Sequence, residues 1–380
     1  MSVQENIAAN LRRLRSAARL SQTQLAEKAD LSRYAIAKLE KGEVMPQAST
    51  LQKLADALDA SLSDLVEEVQ ELHHVRFRAK QGMYGRDQIL ADVSRWLRDF
   101  RELEEILGDY REFHLGERCR EDRMDPKAAA KCAREFMGLG DEPVRDICGL
   151  LEHHGIKVKA LPKNTDAFFG LSISEADGGP AIVVNTWEKI SVERWIFSAA
   201  HELGHLLLHL GAFDVSRTDE EREQEREADQ FASYFLMPAE AFRSEWNDAR
   251  GLSLIDRVFK VKRIFRVSYL TVLYRLVEEG KADASIWPKF KKIYSNRTGK
   301  KLRKADEPQQ LGADDFYSGA PVRKKSAEPK RLDEADFRED RLSDLVRRAF
   351  EQGEVSLGRA GEILGHDLKD MRELVGEWVV

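Results

Sequence analysis

The stretch FSAAHELGHLLLH, residues 197–209, sets two histidines four apart around a glutamate in an otherwise apolar run. Four residues on a helix return to nearly the same face, so His201 and His205 can turn their imidazoles toward a single ion. Glu202 lies about 100° further round, near enough to reach a water on that ion without ligating it. Zinc lowers the pKa of such a water, and the glutamate takes its proton as it attacks a carbonyl. The setting supports this reading. Two histidines and a carboxylate among Trp195, Ile196, Phe197, Leu203, Leu206 and Leu207 are costly to bury unless they serve a purpose.

A catalytic zinc needs a third protein ligand and an open position. His209 fails as that ligand, because eight residues of continuous helix separate it from His201 by about 12 Å. It also lacks the spacing and glycine of H-E-x-x-H-x-x-G-x-x-H. An outer or structural role suits it better. The downstream stretch DEEREQEREADQFASYFLMP, residues 219–238, offers carboxylates. It reads as a helix with Ala228, Phe231, Ala232 and Phe235 facing inward, which puts Glu225 on the side of Ala228 and Asp229. Glu227 is the second candidate, and Glu221 and Glu223 read as solvated surface.

Toward the amino terminus, SQTQLAEKADLSRYAIAKLEKG, residues 21–42, has the spacing of a helix-turn-helix. Ala26 is small where two helices would cross, Leu31 fills the turn, and Leu25, Ala29, Ile36 and Leu39 form the inner faces. Ser21 and Ser32 are suited to N-cap each helix. The outer face of the second helix would carry Arg33, Tyr34 and Lys38 toward base edges, with Ser32 and Gln22 nearby. Residues 1–65 hold nine basic and eight acidic side chains. This near balance predicts modest affinity for double-stranded DNA, so tight operator binding would call for a homodimer.

The whole chain sets the frame. Its 380 residues exceed one ordinary core, and a net charge of −6 argues against a general polyanion binder. Three cysteines, Cys119, Cys132 and Cys148, with no C-x-x-C pair predict no disulfide framework and fit a reducing cytoplasm. No run approaches the roughly 20 apolar residues of a membrane span, and the start lacks a signal peptide's apolar segment. The fold class expected is mainly α and multidomain. Residues 1–66 form a five-helix head and 67–124 a helical linker, with an amphipathic helix through Val93, Trp96, Leu97, Phe100, Leu103 and Leu107. Residues 125–280 form an α+β domain whose GIKVKALP and FFGLSISEADGGPAIVVNT give two or three short strands. Residues 281–335 are a polar linker and 336–380 a helical tail, read as a packing helix pair rather than a second helix-turn-helix. His73, His74, His114, His153, His154 and His366 have no ligand-like partners in sequence and read as surface or structural.

Two resemblances follow from these motifs. SQTQLAEKADLSRYAIAKLEKGEVMPQASTLQKLADAL and the following SLSDL are similar to the phage-repressor type (XRE) helix-turn-helix family over about 60 residues. Asp30 departs from the family's usual turn glycine, and aspartate tolerates the left-handed conformation better than most residues. RWIFSAAHELGHLLLH and EREADQFASYFLMP, preceded by GPAIVVNT, resemble the ImmA/IrrE family of metallopeptidases over roughly residues 145–245. That likeness implies a gluzincin-like domain with a small sheet, and zinc held by His201, His205 and Glu225 with Glu202 as base. In gluzincins an acidic residue four beyond the ligand glutamate orients a zinc histidine, the spacing of Glu225 and Asp229. It also implies that an edge strand around Ile182 to Asn185 binds substrate by strand addition. Tyr234 and other tyrosines are the candidates for stabilising the transition state. Family members typically cut a helix-turn-helix repressor and release stress or mobile-element genes. The expected function is a DNA-binding regulator with zinc endopeptidase activity. The alternative is a regulator whose peptidase-like domain senses a signal and cuts little or nothing.

Overall fold

The computed structural model describes all residues except 1, 69, 80–84, 120–123, 216–221, 304–305, 310–339 and 379–380. Two units emerge, Met1–His73 with Lys80–Leu103, and His74–Ala79 with Glu104–Val380. Among the described residues no helix is long and apolar enough to cross a membrane.

The first unit begins with α1 (Val3–Ala17), α2 (Gln22–Lys28), α3 (Arg33–Lys41), α4 (Ala48–Leu58) and α5 (Leu62–Val66). Capping boxes at Ser2, Ser21 and Ser61 open α1, α2 and α5, and Ser32 caps α3 by accepting from the Ala35 N–H. Leu11, Leu25, Ala26, Ile36, Leu39 and Leu54 close the core between these short helices, each 5 % exposed or less. Asp30 takes the turn's left-handed position at φ 50°, and its carboxylate pairs with Lys53 at 2.9 Å. Helix α6 (Arg86–Leu107) supplies the amphipathic stripe, with Val93, Trp96, Leu97, Phe100 and Leu103 buried. Its Arg98 pairs with Glu67 at 2.6 Å, within the first unit.

In the second unit a four-stranded mixed sheet packs beneath helices. Its strands are β1 (Val75–Ala79), β2 (Lys157–Ala160), β3 (Phe168–Ile173) and β4 (Ala181–Val184), in the order β1-β3-β4-β2. β3 runs antiparallel to both β1 and β4, and β2 runs parallel to β4. Two features differ from the sequence reading. The stretch 67–124, read as helical, contributes β1. And β4 is interior, not an edge: all four of its residues are buried, as the unbroken apolar run AIVV requires of a strand covered on both faces.

Short helices α7 (His114–Arg118), α8 (Pro126–Phe136) and α9 (Ile147–His153) precede β2. Packing of α7 against α8 brings Cys119 and Cys132 to a Cα–Cα distance of 5.8 Å, and they form a disulfide. The expectation of no disulfide is thus corrected, and the inference of a reducing compartment loses that support. Cys148 is buried and takes no part in that disulfide. After β4 come α10 (Val192–Leu208), α11 (Arg222–Leu236), α12 (Ala239–Asp248), α13 (Leu254–Phe265), α14 (Tyr269–Glu278) and α15 (Ile286–Thr298). α10 lies on β3 and β4 and packs against α11, which also packs on α8. Gly204 permits that closeness, since a Cβ there would meet the Phe231 ring at 3.0 Å. Buried Lys262 holds Glu193, in the first turn of α10, at 2.7 Å. Arg134 and Arg275 donate to the carbonyls of Phe235 and Met237 and so finish the end of α11.

The tail forms α16 (Asp340–Glu351), α17 (Leu357–Leu364) and α18 (Leu368–Glu377). Arg341, 5 % exposed, joins α16 to Glu104 at 2.7 Å. The α17–α18 turn repeats the α2–α3 turn at a constant offset along the chain. Ser356 and Asp367 cap these helices as Ser21 and Ser32 cap theirs, and Gly365 at φ 72° stands where Asp30 does. His366 donates its N–H to Gly361 as Leu31 does to Ala26. The packing pair read from sequence therefore shares the capped turn of α2–α3. Most of the polar linker read at 281–335 lies outside the described residues, while 286–298 is helical.

Candidate metal centre and nucleic-acid interface

Three elements meet at the motif. α10 presents His201 and His205, one turn apart on a face 3 % exposed or less. α11 crosses it and presents Glu225, and one ligand atom from each of these three residues falls within 4.8 Å of the others. The Nε2 atoms of His201 and His205 are 3.0 Å apart, and Glu225 approaches them at 3.5 and 3.3 Å. A tetrahedral ion with bonds of about 2.0–2.1 Å separates its ligand atoms by about 3.3–3.4 Å. These residues therefore fit a zinc ion in the number, type and spacing of donors.

The far side of each imidazole is held as well. His201 Nδ1 lies 2.8 Å from Asp229 on α11. His205 Nδ1 lies 2.9 Å from His209 Nδ1, whose Nε2 lies 2.7 Å from Glu227. Such contacts favour the tautomers in which both inner Nε2 atoms face one another and Glu225 as acceptors, as ligation requires. Glu227, the second candidate ligand, is occupied outside the triad, as is His209. Glu221 lies outside the described residues, and Glu223 is exposed. Burial opposes a charged His201, but its hydrogen bonds to Asp229 and Glu225 outweigh burial and raise its pKa. Burial drives His205 well below the usual histidine range, with the charges of His201 and Arg76 adding to it and Glu225 only partly offsetting it. His209 is lowered, again by burial first, against the pull of Glu227.

Glu202 is 2 % exposed and turns toward the sheet, where the Ser172 hydroxyl of β3 donates to it at 2.8 Å. β3 gives it room through Gly170, where an added Cβ would come within 2.9 Å of its Oε1. Sequence reasoning missed Ser172 and Gly170, although both stand in the quoted FFGLSI. It also missed Arg76 of β1, which donates to Glu225 at 3.0 Å and to Gln224 at 2.7 Å. The alternation in VRFRA was the available signal, masked by the charged residues around it. Tyr234 is not at the triad. Its ring packs 3.6 Å from the Arg275 guanidinium, with the Lys127 ammonium 4.8 Å away on the α8 side.

In the first unit, Ser32, Arg33 and Tyr34 are exposed at the start of α3, Tyr34 at 69 %. Lys38 lies one turn on, its ammonium 4.8 Å from the Tyr34 ring. This leaves a basic and aromatic face over an apolar back, the form a DNA-reading helix needs. The Gln22 amide donates to buried Glu40 at 2.7 Å, and Glu40 also accepts from Arg15, which ties Gln22 into the helix packing.

A family model described as an IrrE N-terminal-like domain, of a peptidase family, matches residues 151–277. A second, described as a helix-turn-helix domain, matches residues 6–69. No curated protein matches the chain. The triad, Glu202 and β3 all fall within the first match, and α2 and α3 within the second. The chain thus carries an IrrE N-terminal-like peptidase-family domain behind a helix-turn-helix domain.

Proposed function

We propose that the protein is a DNA-binding regulator with zinc-dependent endopeptidase activity, acting in the cytoplasm on a helix-turn-helix repressor or a related regulatory protein. The observation that carries this reading is the buried His201–His205–Glu225 triad with Glu202 beside it. His201, His205 and Glu225 would hold the ion. Zinc, when bound, supplies Lewis acidity and lowers the pKa of a water. Glu202 accepts a proton from the attacking water and delivers it to the leaving amine. Ser172 keeps the Glu202 carboxylate aimed, and Asp229 and His209 hold the imidazoles in register. Residues 1–66, as a homodimer on an operator, would bring this domain to its target through Arg33, Tyr34, Lys38 and Ser32. The boundaries 125–280 for the peptidase domain and 336–380 for the tail belong to the same proposal.

The sensor reading keeps the metal without the cleavage, and a set of groups placed for proton transfer weighs against it. Labelling new protein N-termini in cells that express the wild type or Glu202→Gln separates the two. A new N-terminus in a helix-turn-helix protein, absent with Glu202→Gln, is the expected result. Unchanged regulation by Glu202→Gln with no new N-terminus would leave the sensor.

A further inference from the structure

The family match begins at residue 151, so within the matched domain the sheet is β3-β4-β2 and β3 is its edge. That edge strand carries Gly170 and Ser172 against Glu202. An open strand edge is a row of unpaired backbone groups, the surface on which an extended peptide is bound by strand addition. In this chain the edge is filled. β1 lies antiparallel on β3, pairing Val75 with Ile173, Arg76 with Ser172 and Phe77 with Leu171. β1 belongs to the unit that holds β3 and the triad, while the chain before it, up to His73, and after it, from Lys80, belongs to the other unit, so β1 enters this unit apart from the matched residues 151–277.

Its side chains occupy the site as well as its backbone. Arg76 stands opposite Ser172, the residue bonded to Glu202, and facing pairs share one side of a sheet. From there its guanidinium reaches Glu225 and Gln224. Phe77, on the alternate side, sets its ring edge-on to Phe168 at 5.2 Å. His74 anchors the entry through its backbone N–H to the Asp177 carboxylate and its carbonyl to the Ser174 N–H at 3.1 Å.

We propose that β1 is a tethered occupant of the substrate edge, and that this edge takes extended peptides with an arginine placed as Arg76 is, followed by an aromatic residue. This rests on the peptidase reading for the word substrate, while the binding it describes does not. Peptide recognition then requires β1 to leave β3.

The test uses the full chain carrying Glu202→Gln, supplied with zinc, so that binding is read without turnover. A capped fluorescent peptide with the sequence of His74–Ala79, HVRFRA, is titrated against it and against the same protein carrying Phe77→Asp, which weakens the hold of β1. The expected result is at least tenfold tighter binding to the Phe77→Asp protein. A peptide with glutamate in place of the first arginine should lose at least tenfold of that binding. Equal binding by both proteins, or indifference to the charge reversal, overturns the proposal. Should Phe77→Asp fail to fold, hydrogen exchange on the unsubstituted chain decides. Val75–Phe77 amides protected at least tenfold over an unstructured peptide support an occupied edge, and unprotected amides there overturn it. Peptide binding without cleavage by the Glu202 protein would keep the edge site and remove the peptidase reading. Cleavage of proteins by a chain that never binds the peptide would do the reverse.

Discussion

Helices α3 and α10 display their candidate functional groups in opposite ways. α3 wears Arg33 and Tyr34 outside an apolar back, in contact with water, where each group acts nearly alone. α10 turns His201, Glu202 and His205 inward, all 3 % exposed or less, where each depends on partners from α11 and β3. Exposed groups tolerate piecemeal change. Buried polar groups are worth little singly and much as a completed set, because one missing partner leaves the others desolvated and unsatisfied. The C-terminal pair α17–α18 sharpens the contrast. It shares the turn geometry of α2–α3, yet its second helix carries Asp370 and Glu373 beside Lys369 and Arg372, so no net positive face results. Backbone geometry sets the motif, and the outward side chains set what it can bind.

The contrast predicts a graded series of effects. Glu202→Gln should keep the metal and the fold and lower peptide cleavage by about a hundredfold to ten-thousandfold, the range for loss of a general base. Cleavage near the wild-type rate would remove Glu202 from the chemistry. Asp229→Asn should weaken zinc binding by about ten- to a hundredfold, through loss of the carboxylate that orients His201, measured by competition with a chelator. Unchanged affinity would make that contact structural only.

Acidity should divide the two helices. With its pKa raised by Asp229 and Glu225 against burial, His201 holds a proton more firmly than a free imidazole, and zinc must displace it. Zinc affinity should therefore fall as the pH is lowered through the raised pKa, with protons released on binding. DNA affinity, carried by Arg33, Tyr34 and Lys38 on the other helix, should stay level over the same range. Parallel losses would mean that the two activities are coupled. The smallest effect expected is on α3, where Arg33→Ala should weaken operator binding by about tenfold at fixed salt, with Gln22→Ala affecting thermal stability more than DNA affinity. A larger DNA defect for Gln22→Ala would return that residue to the reading face.

Much of this was legible because it is local. The H-E-x-x-H spacing, the capping serines and the inner faces of α2 and α3 each lie within a few turns, and helical geometry alone converts them into positions. Asp229 and Glu225 were reachable because α11 is itself periodic and four residues separate them. What was hidden is long-range. The Arg76–Glu225 contact spans 149 residues, and nothing in VRFRA says which strand it will join. Strand order is likewise not written in any one strand. The run AIVV was available as a sign that β4 is covered on both faces, but its neighbours could not be named from it. Cys119 and Cys132 meet because α7 packs on α8, which cysteine spacing does not encode. Tyr234 sits one helical face away from Glu225, a displacement that becomes decisive only once α8 and α14 are in place.

The decisive measurement is the metal content of the purified protein, wild type beside Glu225→Ala and Glu227→Ala. One zinc per chain is expected, lost with Glu225→Ala and retained with Glu227→Ala, whose carboxylate pairs with His209. No bound metal in the wild type even after zinc is supplied, or a metal indifferent to Glu225→Ala, would contradict it.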